Sequence, residues 1–148
     1  MNFQGAVQTV FPDKACYKSG LQALPRQHRP LIRPENPRHL AGSVFLDQCL
    51  PEGASKWDYL IGYQPEPEKR CIYFVEVHPA KIEEILGKLR ALKTWLDTQG
   101  APLHRWASQA EEYWWVPTGK AYPVDSPQYK QLVKSKIKTG RRVLLRCL

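Results

Sequence analysis

The chain has 148 residues, 43% of them hydrophobic, and a net charge of +8. That length predicts one domain with a core able to stand alone, and the hydrophobic fraction is ordinary for a globular protein. No apolar run approaches the roughly 18 residues of a membrane span, so no membrane partner is expected.

The first residues, Met-Asn-Phe-Gln-Gly-Ala, lack a charged region followed by an apolar stretch, which predicts no secretory signal. Cys16, Cys49, Cys71 and Cys147 are scattered, with no C-x-x-C pair. That spacing predicts free thiols in a reducing cytoplasm, and no zinc site. Residues 1–40 carry six basic and two acidic side chains, residues 128–148 carry seven basic and no acidic ones, and the part between is net −3. An acidic centre between basic ends suits a metal site flanked by phosphate-binding surface. A solvated surface that keeps the protein soluble is the plainer account of any one lysine.

Residues 1–40 hold prolines at 12, 25, 30, 34 and 37 and show no clear period. They read as an irregular basic N-terminal arm laid over the core, with a short strand at Ala6–Phe11. Arg29 and Arg33, in Arg26-Gln-His-Arg-Pro-Leu-Ile-Arg33, are candidates for touching a nucleic-acid backbone. The same stretch also reads as a packed extension held by Leu31 and Ile32. Residues 41–148 read as the core. His39 to Leu50 places Leu40, Val44, Phe45, Leu46 and Leu50 in a helical pattern, ended by Pro51 and Gly53, with Asp47 near the end of the helix.

Trp57-Asp-Tyr-Leu-Ile-Gly-Tyr63 and Ile72-Tyr-Phe-Val-Glu-Val-His78 are rich in β-branched and aromatic residues and predict two strands. Gln64-Pro-Glu-Pro-Glu-Lys-Arg70 between them is polar and broken by two prolines, so the pair predicts an antiparallel hairpin. A turn centred near Pro67 pairs Gly62 with Ile72 and Leu60 with Phe74. It puts Asp58 opposite Glu76 and Lys56 opposite His78. Alternation gives Ile72, Phe74, Glu76 and His78 one face, and Tyr73, Val75 and Val77 the other. Two carboxylates facing each other on a hairpin repel, by about 0.2–1 kcal/mol. A divalent cation with oxygen ligands is the first candidate to offset that, and Lys56 the second.

After Pro79, apolar residues recur at helical spacing from Ile82 to Leu96, predicting a helix to about Gln99 that buries Ile82, Ile85, Leu86 and Leu89. Lys81, Glu84, Lys88 and Arg90 are expected off that stripe. Glu112-Tyr-Trp-Trp-Val116 predicts a strand parallel to the second strand of the hairpin. Its tryptophans are expected in the core. Ser126 as N-cap and Pro127 at the first position predict a helix to about Lys136. Val143–Cys147 predicts a last strand. Together these elements predict one α/β domain with a mixed sheet of about four or five strands flanked by helices.

An acid on one hairpin strand, then Glu-x-Lys on the next, then a long helix resembles the PD-(D/E)XK nuclease superfamily, the restriction-endonuclease-like fold. Asp58 stands for the first acid, Glu76 for the second and His78 for the lysine. The resemblance spans roughly residues 40–120 and lies in order and spacing. It departs from the pattern in two places: Trp57, not proline, precedes Asp58, and His78 replaces the lysine that positions or activates the attacking water. Lys56 is the alternative cation. The family often brings a further acid from the preceding helix, for which Asp47 is the candidate. The resemblance implies a Mg²⁺ or Mn²⁺ site at Asp58, Glu76 and Asp47, with His78 and Lys56 assisting hydrolysis of a phosphodiester in DNA or RNA. Lys134, Lys136, Lys138, Arg141 and Arg142 would then hold the backbone, with a partner protein or a second copy of the chain also compatible.

A structural polar network is the other account of Asp58, Glu76 and His78. On that account the chain is a catalytically inactive nucleic-acid-binding or scaffolding subunit of a larger complex. The sequence has no Gly-rich phosphate loop and no Gly-x-Ser-x-Gly elbow. His28, His39 and His104 have no mutual ligand spacing.

Overall fold

The structure is a computed structural model, and it describes residues 1–51, 57–109 and 111–148. Lys56, a candidate cation above, lies outside the described residues. The chain is a mixed α/β domain. Helix α1 (Phe3–Val10) is followed by β1 (Ile32–Pro34), β2 (Leu40–Phe45), the short α2 (Leu46–Cys49), β3 (Tyr59–Glu66) and β4 (Lys69–Val77). Then come α3 (Ile82–Asp97), α4 (Ala101–Trp106), β5 (Glu112–Val116), α5 (Pro127–Lys134), β6 (Ile137–Thr139) and β7 (Val143–Leu145). Five strands form the main sheet in the order β2-β3-β4-β5-β6, and β1 pairs with β7 in a separate two-stranded sheet.

The β3–β4 hairpin has the expected register: Leu60 pairs with Phe74 and Gly62 with Ile72, with a shift between Tyr63 and Glu66 at the turn. Parity sorts the core. Leu60, Ile72, Phe74 and Trp115 pack against α1, α3, α4 and α5 on one face. Ile61, Tyr73, Val75 and Trp114 pack on the other under Leu24, Ile32, Val143 and Leu145. The sheet is thus sandwiched between a helical layer that includes α1 and a layer built from the segment around Leu24 and Ile32 and the C-terminal residues. β4 and β5 run parallel, as do β5 and β6.

α3 buries Ile82, Ile85, Leu89, Leu92 and Leu96, each burial contributing about 1.5–3 kcal/mol. Leu86 is half-buried on the flank of this stripe. Ser126 caps α5, its Oγ accepting the Tyr129 N–H at 3.1 Å.

Three expectations are corrected. Residues Ala6–Phe11 are mainly helical, not a strand: Asn2 accepts the Gly5 N–H as N-cap, and Phe3, Ala6 and Val7 at helical spacing enter the core. Phe3 docks where β3 carries Gly62, because a Cβ there would stand 2.6 Å from the Phe3 ring. The helix expected over 39–50 is strand β2 followed by one turn of α2. Gly42 takes φ +143°, outside the helical region, and Val44 and Phe45 pair with Leu60 and Tyr59. Ladder pairing overrides the apparent helical period. The cysteines are not free thiols: Cys16 bonds Cys49 and Cys71 bonds Cys147. The first pair joins the N-terminal segment to α2, and the second ties the last residues to β4. No described helix is long and apolar enough to cross a membrane.

Candidate metal centre

The site forms at the end of β4. The chain leaves β2 through α2, and the Leu46 N–H donates to the Asp58 carbonyl at 2.9 Å, which fixes the entry to β3. Continuing the register of Leu60 with Phe74 and Tyr59 with Val75 puts Asp58 beside Glu76. Side chain and main chain then interlock across the pair. The Asp58 N–H donates to Glu76 Oε1 at 3.0 Å, and the Val77 N–H donates to Asp58 Oδ2 at 2.8 Å. His78 follows on the same side, its carbonyl accepting from Trp115 Nε1 at 3.0 Å. Asp58, Glu76 and His78 each offer a ligand atom, and these atoms lie within 4.8 Å of one another.

The Glu76 side chain is fully buried. Burial pushes its carboxyl up to about 7, and the nearby Asp58 charge adds to the rise, while Lys88 and His78 pull it down. His78 Nε2 stands 2.9 Å from Glu76 Oε2, and His78 Nδ1 stands 2.9 Å from the Pro79 carbonyl. Donation from Nδ1 to that carbonyl leaves the Nε2–Oε2 contact needing a proton on one partner or the other. A protonated Glu76 carboxyl, the direction of its shift, would donate to Nε2.

Lys88 completes the cluster, and it was expected off the buried stripe of α3. It stands three residues after Ile85 and four before Leu92, both core positions, so it projects from the stripe toward the sheet. Its Nζ donates to Glu76 Oε2 and lies 3.2 Å from His78 Nε2. A lysine that interrupts an apolar stripe at core spacing was the signal that could have revealed it. Lys88 thus brings a cation to Glu76 and His78 from the helix that follows β4.

Asp47 is exposed on α2 and is not among the three gathered residues. Lys134, at the end of α5, Lys136, Arg141 and Arg142 are exposed around the β6 edge. Lys138 is exposed on β6 but already pairs with Glu112 at 2.7 Å. Arg33 is exposed on β1. Half-buried Arg29 donates its Nε–H to the Leu24 carbonyl at 2.9 Å. His104 pairs with Glu111 at 2.5 Å.

The donor set fits a divalent cation. Two carboxylates supply hard oxygen and the imidazole a nitrogen, both ordinary metal-ligand types. Compared with known proteins, the chain matches no family model, no curated protein and no solved structure.

Proposed function

We propose that the chain is a Mg²⁺- or Mn²⁺-dependent phosphodiester hydrolase acting on nucleic acid. The observation that carries this reading is the meeting of Asp58, Glu76 and Lys88 at the end of β4, two acids and a cation in the order of the PD-(D/E)XK resemblance. Asp58 and Glu76 would hold the ion, with His78 Nε2 as a further donor. A divalent ion there supplies charge at the phosphate and a bound water of lowered pKa. Lys88 neutralises Glu76 until a cation takes its place. With an ion held there, the Lys88 ammonium would be free to stabilise the negative charge that develops on the phosphate. Where the two carboxylates alone hold the ion, the neutral His78 Nε2 would instead be available to take a proton from the attacking water. Lys134, Lys136, Lys138, Arg141, Arg142 and Arg33 would attract the backbone. With both cysteine pairs bonded, an oxidising compartment suits the chain better than the cytoplasm expected from cysteine spacing.

The same Lys88 contact favours a second reading. An ammonium seated on Glu76 satisfies the acid without metal, and the chain would then be a nucleic-acid-binding or scaffolding subunit. Thermal melting against Mn²⁺ and Mg²⁺ separates the two. An ion at 100 times its Kd stabilises by about 2.7 kcal/mol, which raises Tm by roughly 5–10 °C in a chain of this size. The hydrolase reading expects that rise together with cleavage in Mn²⁺ and none in EDTA. A flat Tm with no cleavage would select the second reading.

A further inference from the structure

Away from the carboxylates, a groove of about 550 Å³ opens between α5 and the β5–β6 edge of the sheet. That volume lies in the range of small-molecule sites. Its lining includes Trp114, Tyr129, Val133, Lys136, Ile137 and Lys138. Ile137 and Trp114 are buried and form the floor, while Val133 is 58% exposed at the rim. Lys138 Nζ sits 5.6 Å over the Trp114 ring.

The two acids at the groove are already engaged. Glu112 Oε1 accepts from Lys138 Nζ at 2.7 Å and from Trp114 Nε1 at 3.2 Å. Glu111 pairs with His104. The Lys136 side chain makes no hydrogen bond or ion pair with any described residue, and Lys134, Arg141 and Arg142 stand exposed near the same sheet edge, so basic side chains outnumber the two acids around the groove.

Lys136 also sits where its backbone is unfavourable. Its φ is +60°, just past the C-cap Ser135 of α5. Glycine is the residue that such a left-handed helix end favours. A lysine held there puts a charge at the groove at some cost to the fold, the pattern expected of a binding position.

We propose that this groove binds an unpaired base together with its phosphate, which makes single-stranded nucleic acid the substrate class. The inference rests on the nucleic-acid reading above. Apolar and aromatic walls take a base face, and lysines take the phosphate, as in other single-strand sites. A duplex keeps its bases stacked and paired, so it reaches such a recess only by flipping one out. Trp114 faces away from the side that carries Glu76 while Ile137 packs in the core of the other face, so the groove wraps the β6 edge of the sheet. Its lining includes none of Asp58, Glu76 and His78, so its role is to anchor the strand.

The test uses the full chain in EDTA at about 50 mM salt. Anisotropy is read on a labelled single strand of about 12 nucleotides and on the matching duplex. The single strand should bind about tenfold tighter or better. Val133→Glu, at an exposed position, and Tyr129→Leu should each weaken it about tenfold. Lys136→Gly should weaken binding while its Tm stays level or rises. Equal affinity for both strand forms, variants that bind like wild type, or displacement by a polyglutamate peptide as effective as by unlabelled oligonucleotide would each overturn the groove. Groove-dependent binding without metal-dependent cleavage would support the groove and remove only the hydrolase reading. Cleavage that ignores Val133→Glu in both KM and kcat would remove only the groove.

Discussion

Replacing Lys88 with Met tests whether this side chain neutralises Glu76. Methionine keeps the length of the stem and removes the charge. The Glu76 carboxyl rises from its ordinary 4.5 to about 7 in the folded chain. A carboxyl raised on folding contributes full stability below its unfolded pKa and loses it as pH rises through the folded pKa. Metal-free wild type should therefore lose about 1.4 kcal/mol per pH unit from about 4.5 to 7 on this account, roughly 3 kcal/mol in all, and then level off. Without Lys88, burial and Asp58 act with less opposition, and the folded pKa moves higher. The loss then continues beyond pH 7 at about 1.4 kcal/mol per unit. At pH 5 the two proteins should differ little, since Glu76 is protonated in both. At pH 7 half-protonation limits the electrostatic difference to about 0.4 kcal/mol. By pH 8.5 it should reach about 2 kcal/mol, or roughly 4–8 °C in Tm. Tyr59 and Tyr73, both pushed up to about 12 chiefly by burial, stay neutral throughout. The assay is thermal or urea unfolding in EDTA at pH 5, 7 and 8.5, read as the difference between variant and wild type. A difference that stays constant across this range would refute the pairing of Lys88 with Glu76.

Two further predictions concern the fold. Leu89→Ala removes a side chain only 4% exposed in the α3 stripe, and chemical denaturation should show a loss of about 2–5 kcal/mol. The disulfides close sequence separations of 33 and 76 residues, so each should contribute about 3–5 kcal/mol by loop closure. A thiol assay on the unreduced, unfolded protein should find no free cysteine, and reduction should lower Tm sharply.

The hairpin was legible because two different signals agreed. Alternation from Ile72 to Val77 set the faces, and the prolines at 65 and 67 set the turn, so the meeting of Asp58 with Glu76 followed from register alone. α3 was legible because its leucines repeat at helical spacing under a clean stop at Gly100. β2 was not, since Leu40, Val44 and Phe45 fit a helix locally, and only the ladder to β3 makes them a strand. α1 carried its signal in Asn2 and the spacing of Phe3, Ala6 and Val7, which the nearby prolines obscured. Lys88 was missed because charged residues on an amphipathic helix were assigned to solvent. Its place among core positions is visible only once the helix is set against Glu76. The cysteine pairs depend on long-range topology that spacing does not encode.

The central claim is that Asp58 and Glu76 are held together for a divalent ion and for cleavage. Asp58→Asn tests it most directly. The asparagine oxygen can keep accepting the Val77 N–H now received by Asp58 Oδ2, while the variant loses a ligand charge and relieves the repulsion on buried Glu76. Tm in EDTA and cleavage of labelled single-stranded oligonucleotide in Mn²⁺ are measured side by side with wild type. The account predicts that Asp58→Asn is as stable as wild type or more so above pH 7, that Mn²⁺ no longer raises its Tm, and that its cleavage is lost. A wild type that cleaves neither DNA nor RNA in Mg²⁺ or Mn²⁺, beside an Asp58→Asn variant that is strongly destabilised in EDTA, would contradict it and make these acids structural.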